Sequence, residues 1–301
     1  MTQITRDQQG HLTIGGQSAA ELAEAYGTPL YVYSGDGFIA HFAAFTSAVS
    51  RLDCTVHYAV KANSSLGVLG LLARQGAGAD IVSGGEMKRA LTAGIAAEKI
   101  VFSGVGKTDL EIKEALQVGI GQINAESAAE LVHISAIAGD MGVSAPVALR
   151  VNVNVDPGSH AKISTGQRST KFGIPVAGGE AAALYRKVCA DPNLIPRGLA
   201  VHIGSQLRQL APFERAYQEL LQLADGLRAE GLDVPMLDLG GGLGIDYETG
   251  TSPDFDAYGQ MVTRIFANRA YKLGFELGRS IAADNGVFLT RPLFVNHGEV
   301  K

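Results

Sequence analysis

Eight apolar, β-favouring runs alternate with helical patterns along this chain, and the alternation predicts an α/β fold, a (β/α)8 TIM-like barrel. Two further observations support it. The runs recur at roughly 20 to 25 residues, the length of one strand, helix and pair of loops. Polar or glycine residues also stand at the C-terminal end of every run, where a barrel builds its active site. An open doubly wound sheet alternates in the same way, but it gives no reason for eight strand ends to share one polar rim.

Taken in order, residues 1–34 form a lead-in. Ser18-Ala19-Ala20-Glu21 reads as a capping box that starts a helix, which stops at Gly27 before Pro29. Leu30–Tyr33 is a strand, and Phe38, Phe42, Phe45 and Val49 mark the buried face of a helix over 38–52. The barrel rhythm begins with strand Val56–Val60, which delivers Lys61 to its end, and helix Leu66–Gln75. Strand Ala79–Ser83, helix Gly85–Ala93, strand Ile100–Ser103, helix Leu110–Val118, strand Gln122–Ala125 and helix Ala128–Ala138 follow. Strand Val147–Val153 leads through a long polar stretch to helix Gly179–Ala190. Strand Gly198–His202 precedes a helix with Phe213, Tyr217, Leu220, Leu221, Ala224 and Leu227 on one face. Strand Met236–Leu239, a helix over Phe255–Ala267 and strand Tyr271–Glu276 complete the set.

The bulk numbers exclude several classes. A net charge of −5 argues against a nucleic-acid or membrane-surface binder. No apolar run approaches the roughly 20 residues that cross a bilayer, and Met1–Gly10 lacks the apolar core of a secretory signal. The 2 cysteines, Cys54 and Cys189, have neither metal-ligand nor disulfide spacing, so a reducing cytoplasm is expected.

The rim residues are Lys61, Asp80 with Ser83, Ser103, Asn124 with Glu126, Arg150 with Asn152, His202, Gly240–Gly242 and Glu276. Leu239-Gly240-Gly241-Gly242 follows the seventh strand, where barrels commonly hold phosphate on backbone N–H groups. A tight turn needing positive φ is the blander alternative for the same glycines, and phosphate binding is the preferred reading. Gly240-x-Gly242 is half of a dinucleotide fingerprint, but Ile245-Asp246-Tyr247-Glu248 continues as loop where that motif needs a helix. A lone histidine is usually structural. His202, followed by Gly204 and Ser205 on a rim that already holds a lysine, instead suits a flat ring stacked on a planar group with a hydroxyl for phosphate. No second ligand at metal spacing accompanies it, so zinc is not expected. Glu276-Leu277-Gly278-Arg279 could be an exposed ion pair of little worth. Beside an anion loop, Arg279 reads as binding phosphate or a substrate carboxylate. Together these parts describe a pyridoxal phosphate site. Lys61 takes the aldehyde, which calls for a lowered amine pKa, and Glu276 keeps the pyridine nitrogen protonated.

Tyr58-Ala59-Val60-Lys61-Ala62-Asn63, Val82-Ser83-Gly84-Gly85-Glu86, Phe102-Ser103-Gly104, His160 with Ile163-Ser164-Thr165-Gly166, Lys171-Phe172-Gly173, His202-Ile203-Gly204-Ser205-Gln206 and Asp238–Gly242 resemble the diaminopimelate decarboxylases. These are barrel-type pyridoxal phosphate enzymes related in fold to alanine racemase. The resemblance runs from about Thr28 to Arg279. It implies decarboxylation at the D-centre of meso-2,6-diaminopimelate, giving L-lysine and CO2. It implies Lys61 as the Schiff-base lysine, His202 on the cofactor ring, and Asp80, Ser205, Gly241, Gly242, Glu276, Leu277, Gly278 and Arg279 around the cofactor, with Arg279 also reaching substrate. It further implies a homodimer and a second, β-rich domain, to which 1–34 and 280–301 belong, leaving 35–279 as the barrel. Three departures stand out. Leu277 replaces the family's usual proline, which should loosen the turn before Arg279. The approach to the last strand, 267–275, is unusually polar. The chain also ends at Lys301, where further β-domain strands are expected, so a remnant that binds cofactor without turnover competes with an active decarboxylase. Other basic amino-acid decarboxylases and racemases resemble the chain less. Residues 281–301 are expected to present unpaired edges that favour self-association.

Overall fold

The structure is a computed structural model, and it describes residues 3–155, 172–248 and 254–295. The motif residues His160, Ile163–Gly166 and Lys171 lie outside the described residues. Eight parallel strands close into a barrel: Cys54–Ala59, Gly78–Ile81, Ile100–Phe102, Gln122–Ala125, Ala145–Asn152, Leu194–Val201, Met236–Asp238 and Lys272–Leu277. Closure is made where Leu273–Leu277 pairs in parallel register with Cys54–Tyr58. A short strand, Ile174–Pro175, adds to the outside of the fifth barrel strand.

Each strand shows one face to the surrounding helices and one to the barrel axis. The outer face is apolar, with Val56, Tyr58, Ile81, Ile123, Leu149, Leu199, Leu237 and Phe275 all buried. The helices that meet it begin on the rim and are capped there by short polar side chains. Ser83 accepts from the Glu86 N–H, Ser127 from Glu130, and Asp254 from Ala257, while Thr108 forms a full capping box with Glu111. Ser18 does precede the helix Ala19–Tyr26, but its side chain makes no capping bond.

Two expectations change on inspection. The sixth strand starts at Leu194, four residues before the sequence suggests, because a register shift between Pro196 and Gly198 absorbs the proline. The polar stretch before the last strand is tied down rather than loose. The Arg228 guanidinium lies 3.5 Å from the Tyr271 ring centroid, the Tyr271 hydroxyl donates to Asp225 (2.7 Å), and Arg269 pairs with Asp225 (2.8 Å).

The segment after the barrel is also partnered. Gly286–Leu289 pairs antiparallel with Leu30–Tyr33 of the lead-in in a two-stranded sheet, and among the described residues the other edge of each strand has no strand partner. Beyond it, Leu293, Phe294 and Val295 are exposed. Among the described residues no helix is long and apolar enough to cross a membrane.

Candidate active site

Lys61, His202, Ser205, Gly242, Glu276, Gly278 and Arg279 line one cavity of about 930 Å³ at the C-terminal mouth of the barrel, walled on one side by Tyr31, Tyr33 and Phe288. Three predicted site residues stand behind this lining. Asp80 is fully buried beneath Lys61, Gly241 is packed under the glycine bend, and Leu277 is a buried core residue paired with Tyr58. Leu277 therefore ends a regular strand, and Gly278 and Arg279 follow as the start of the short helix Arg279–Ala282.

Lys61 stands one residue past the strand, in a single 3-10 turn over Val60–Ala62, with its side chain 47% exposed. Its Nζ donates to Asp80 Oδ2 at 2.5 Å. Burial opposes its charge, but Asp80 and then Glu276 outweigh burial and raise its pKa above the ordinary lysine value. The expected lowering is thus reversed, because the Asp80 carboxylate stands in direct contact with the amine. Asp80 Oδ1 has no hydrogen-bond partner among the described residues.

His202 behaves oppositely. Burial, then the Arg150 and Lys61 charges, hold its pKa well below the usual imidazole value, so the ring is neutral. Its Nδ1 accepts from the Gly241 N–H (3.2 Å), which puts the ring proton on Nε2. That bond also occupies the Gly241 amide, and Gly240 N–H donates to Asp238 (3.0 Å). Gly242 is the residue of the bend that lines the cavity. The glycines are needed for packing as well. A Cβ on Gly241 would lie 1.8 Å from the Glu276 carbonyl oxygen, and one on Gly242 2.3 Å from that of Gly204.

The barrel axis below Glu276 is polar, unlike the bulky branched filling usual in this fold. Glu276 Oε1 accepts from Ser103 (3.3 Å) and Asn124 (3.4 Å). Gln122 reaches across the barrel to Asp238 (3.3 Å) and His57 is fully enclosed nearby. Burial, then Asp238 and Asp80, push the Glu276 carboxyl well above the usual range. Asp238 is raised as well, by burial first and then by Asp80, while His57 and the Gly240 N–H pull it back. A proton is therefore held among these acids. The sequence reading missed Asp238 and His57 as site residues, although each is a polar residue alternating inside an apolar strand.

Arg279 has neutral partners. Its Nε donates to Ser205 Oγ (3.4 Å) and its Nη1 to the Tyr247 hydroxyl (2.5 Å). Among the described residues Arg150, Arg186, Arg208, Arg264 and Arg269 are paired with carboxylates, and Arg279 is not. A half-buried guanidinium without an anion is a ready partner for phosphate or carboxylate. Among the described residues no cluster of His, Cys, Asp or Glu could hold a metal ion.

The family described as pyridoxal-dependent decarboxylase, pyridoxal binding domain, matches residues 36–283. A diaminopimelate decarboxylase of Vibrio cholerae is 46% identical over 302 residues, covering 100% of this chain and 72% of its own length. The crystal structure of diaminopimelate decarboxylase from Helicobacter pylori complexed with L-lysine matches with a TM-score of 0.85 at 38% identity, over 89% of this chain and 67% of that one. Lysine decarboxylase from Selenomonas ruminantium, at 24% identity and a TM-score of 0.79, shares the fold.

Proposed function

We propose that this chain, which belongs to the pyridoxal-dependent decarboxylase family and within it to the diaminopimelate decarboxylases, removes one carboxylate of meso-2,6-diaminopimelate, giving L-lysine and CO2. The observation that carries the reading is the convergence of an amine, a neutral imidazole, a glycine bend and an arginine without a carboxylate partner on one cavity. Pyridoxal phosphate fits this donor set. Lys61 suits its aldehyde, the Gly242 backbone with Ser205 suits its phosphate, Glu276 suits its ring nitrogen, His202 offers a flat uncharged face, and Arg279 keeps its charge for a substrate carboxylate. When bound, it supplies a protonated ring that takes up the electron pair released as CO2 leaves.

The chain's own residues prepare that chemistry. Asp80 Oδ2 accepts from the Lys61 amine and holds it at the mouth of the barrel, placed for the aldehyde. Ser103 and Asn124 hold Glu276 Oε1, leaving Oε2 to carry the proton kept by burial and by Asp238. Burial of Glu276 strengthens the interactions it makes at this end of the site.

The domain reading belongs to the same proposal. Residues 1–34 and 280–301 form parts of a β-rich second domain around the barrel at 35–279, supported by pairing of Leu30–Tyr33 with Gly286–Leu289. Assembly as a homodimer and residence in the cytoplasm are further parts of the proposal, and light scattering tests the first. Release of CO2 and L-lysine from meso-diaminopimelate by the purified chain with added pyridoxal phosphate tests the activity. Cofactor uptake without CO2 would leave a binding barrel and overturn the decarboxylase reading.

A further inference from the structure

Tyr247 is largely exposed, yet the loop that carries it is held firmly. Leu207 N–H donates to the Gly242 carbonyl and Gly244 N–H to the Leu207 carbonyl, both at 2.9 Å. The Gln206 amide grips Ile245 from both sides, donating to its carbonyl (2.6 Å) and accepting from its N–H (3.0 Å). Arg208 pairs with Asp246 at 2.8 Å. Gln206 itself takes φ +62°, a left-handed conformation uncommon outside glycine, and a Cβ on Gly244 would lie 2.7 Å from its carbonyl carbon. The loops after the sixth and seventh strands are thus fastened into one clip. It presents two hydroxyls to Arg279, Ser205 on Nε and Tyr247 on Nη1. Of the guanidinium's five N–H donors, two are spent on these neutral groups, which fix its plane without cancelling its charge.

We propose that Tyr247 is a positioning residue: through the Gln206 clip it sets the Arg279 fork to take the substrate carboxylate that is retained in the product. This rests on the reading of Arg279 given above. Holding the departing carboxylate would stabilise the ground state more than the transition state, whereas holding the retained one orients the substrate without that cost. The site therefore selects amino acids carrying a second carboxylate by a fork on the wall of the same cavity.

The test compares wild type, Tyr247→Phe, Gln206→Glu and Arg279→Lys in the cofactor-loaded protein. It measures steady-state kinetics with meso-diaminopimelate, calorimetric binding of L-lysine and of 1,5-diaminopentane, which lacks the carboxylate, and the pyridoxal phosphate affinity of the stripped protein. Tyr247→Phe should raise KM and weaken L-lysine binding by about five- to tenfold, the worth of one charge-assisted hydrogen bond at a partly exposed site. Its kcat, its diaminopentane affinity, its cofactor affinity and its Tm should stay at wild-type values. Gln206→Glu, which sets an oxygen against the Ile245 carbonyl, should reproduce the effect, and the double variant should be no worse than the stronger single one. If Arg279→Lys weakens lysine binding and Tyr247→Phe does not, the positioning role is wrong while the reading of Arg279 stands. If Arg279→Lys leaves lysine binding intact, that reading fails and takes the positioning role with it. Weakened cofactor binding in Tyr247→Phe would assign the fork to phosphate and overturn the proposal.

Discussion

Burial and the neighbouring acids Asp238 and Asp80 keep the Glu276 carboxyl protonated well above its ordinary value of 4.5, against the pull of Lys61 and Arg150. Between 4.5 and that raised value the folded protein holds a proton that the unfolded chain has released. Stability of the ligand-free protein therefore falls as pH rises through this window. Glu276→Gln cannot ionise, so its Tm relative to wild type should climb with pH across the window. A difference that stays flat with pH would contradict the assignment. His57 works from the other side. Burial lowers its pKa below 6.5, so the unfolded chain takes up a proton that the folded ring refuses, and stability drops as pH falls below 6.5. His57→Gln should flatten that acid limb in a Tm-against-pH series, and an unchanged limb would show that another group governs it. Lys61, His202, Ser205, Gly242, Glu276 and Arg279 were legible in the sequence because each closes a strand or its loop. Asp238 and His57 were not, since a polar residue inside a strand announces itself only once the barrel axis is known. The sense of the Lys61 shift also needed coordinates, because it depends on how close Asp80 stands.

At the scale of elements, the glycine bend shows how a loop can be both a ligand site and a packing device. A Cβ on Gly241 would strike the Glu276 carbonyl, which is backbone and cannot move aside cheaply. Gly241→Ala should cost about 2–3 kcal/mol, a typical overpacking penalty. Gly226, inside the helix Ala211–Ala229 with nothing within 4 Å of its would-be Cβ, gives the matching control. Gly226→Ala should stabilise by about 0.5–1 kcal/mol through helix propensity. Urea midpoints at fixed pH decide both, and equal midpoints for the two variants would refute the packing argument. Strand and helix existence could be read from periodicity, since Phe213, Tyr217, Leu220, Leu221, Ala224 and Leu227 do share one buried face. Boundaries were harder. Pro196 hid the start of the sixth strand, and only the register shift beside it explains how a proline sits there.

The molecule as a whole is a closed ring whose mouth gathers groups distant in sequence. Lys61 and Glu276 come from the first and eighth barrel strands, which pair to close it, and His202 and the glycine bend arrive from the sixth and seventh. Ring closure was legible as a count of eight strands with polar ends. The pairing of Leu30–Tyr33 with Gly286–Leu289 was not, because two short strands so far apart in the chain carry no pattern that names each other. The central claim is that the amine at this mouth is the one that takes pyridoxal phosphate. Incubation with pyridoxal phosphate, reduction with borohydride and peptide mapping by mass spectrometry tests it most directly. The account predicts a pyridoxyl group on Lys61 and none in Lys61→Ala, whereas labelling of another lysine, or equal labelling of the variant, would contradict it.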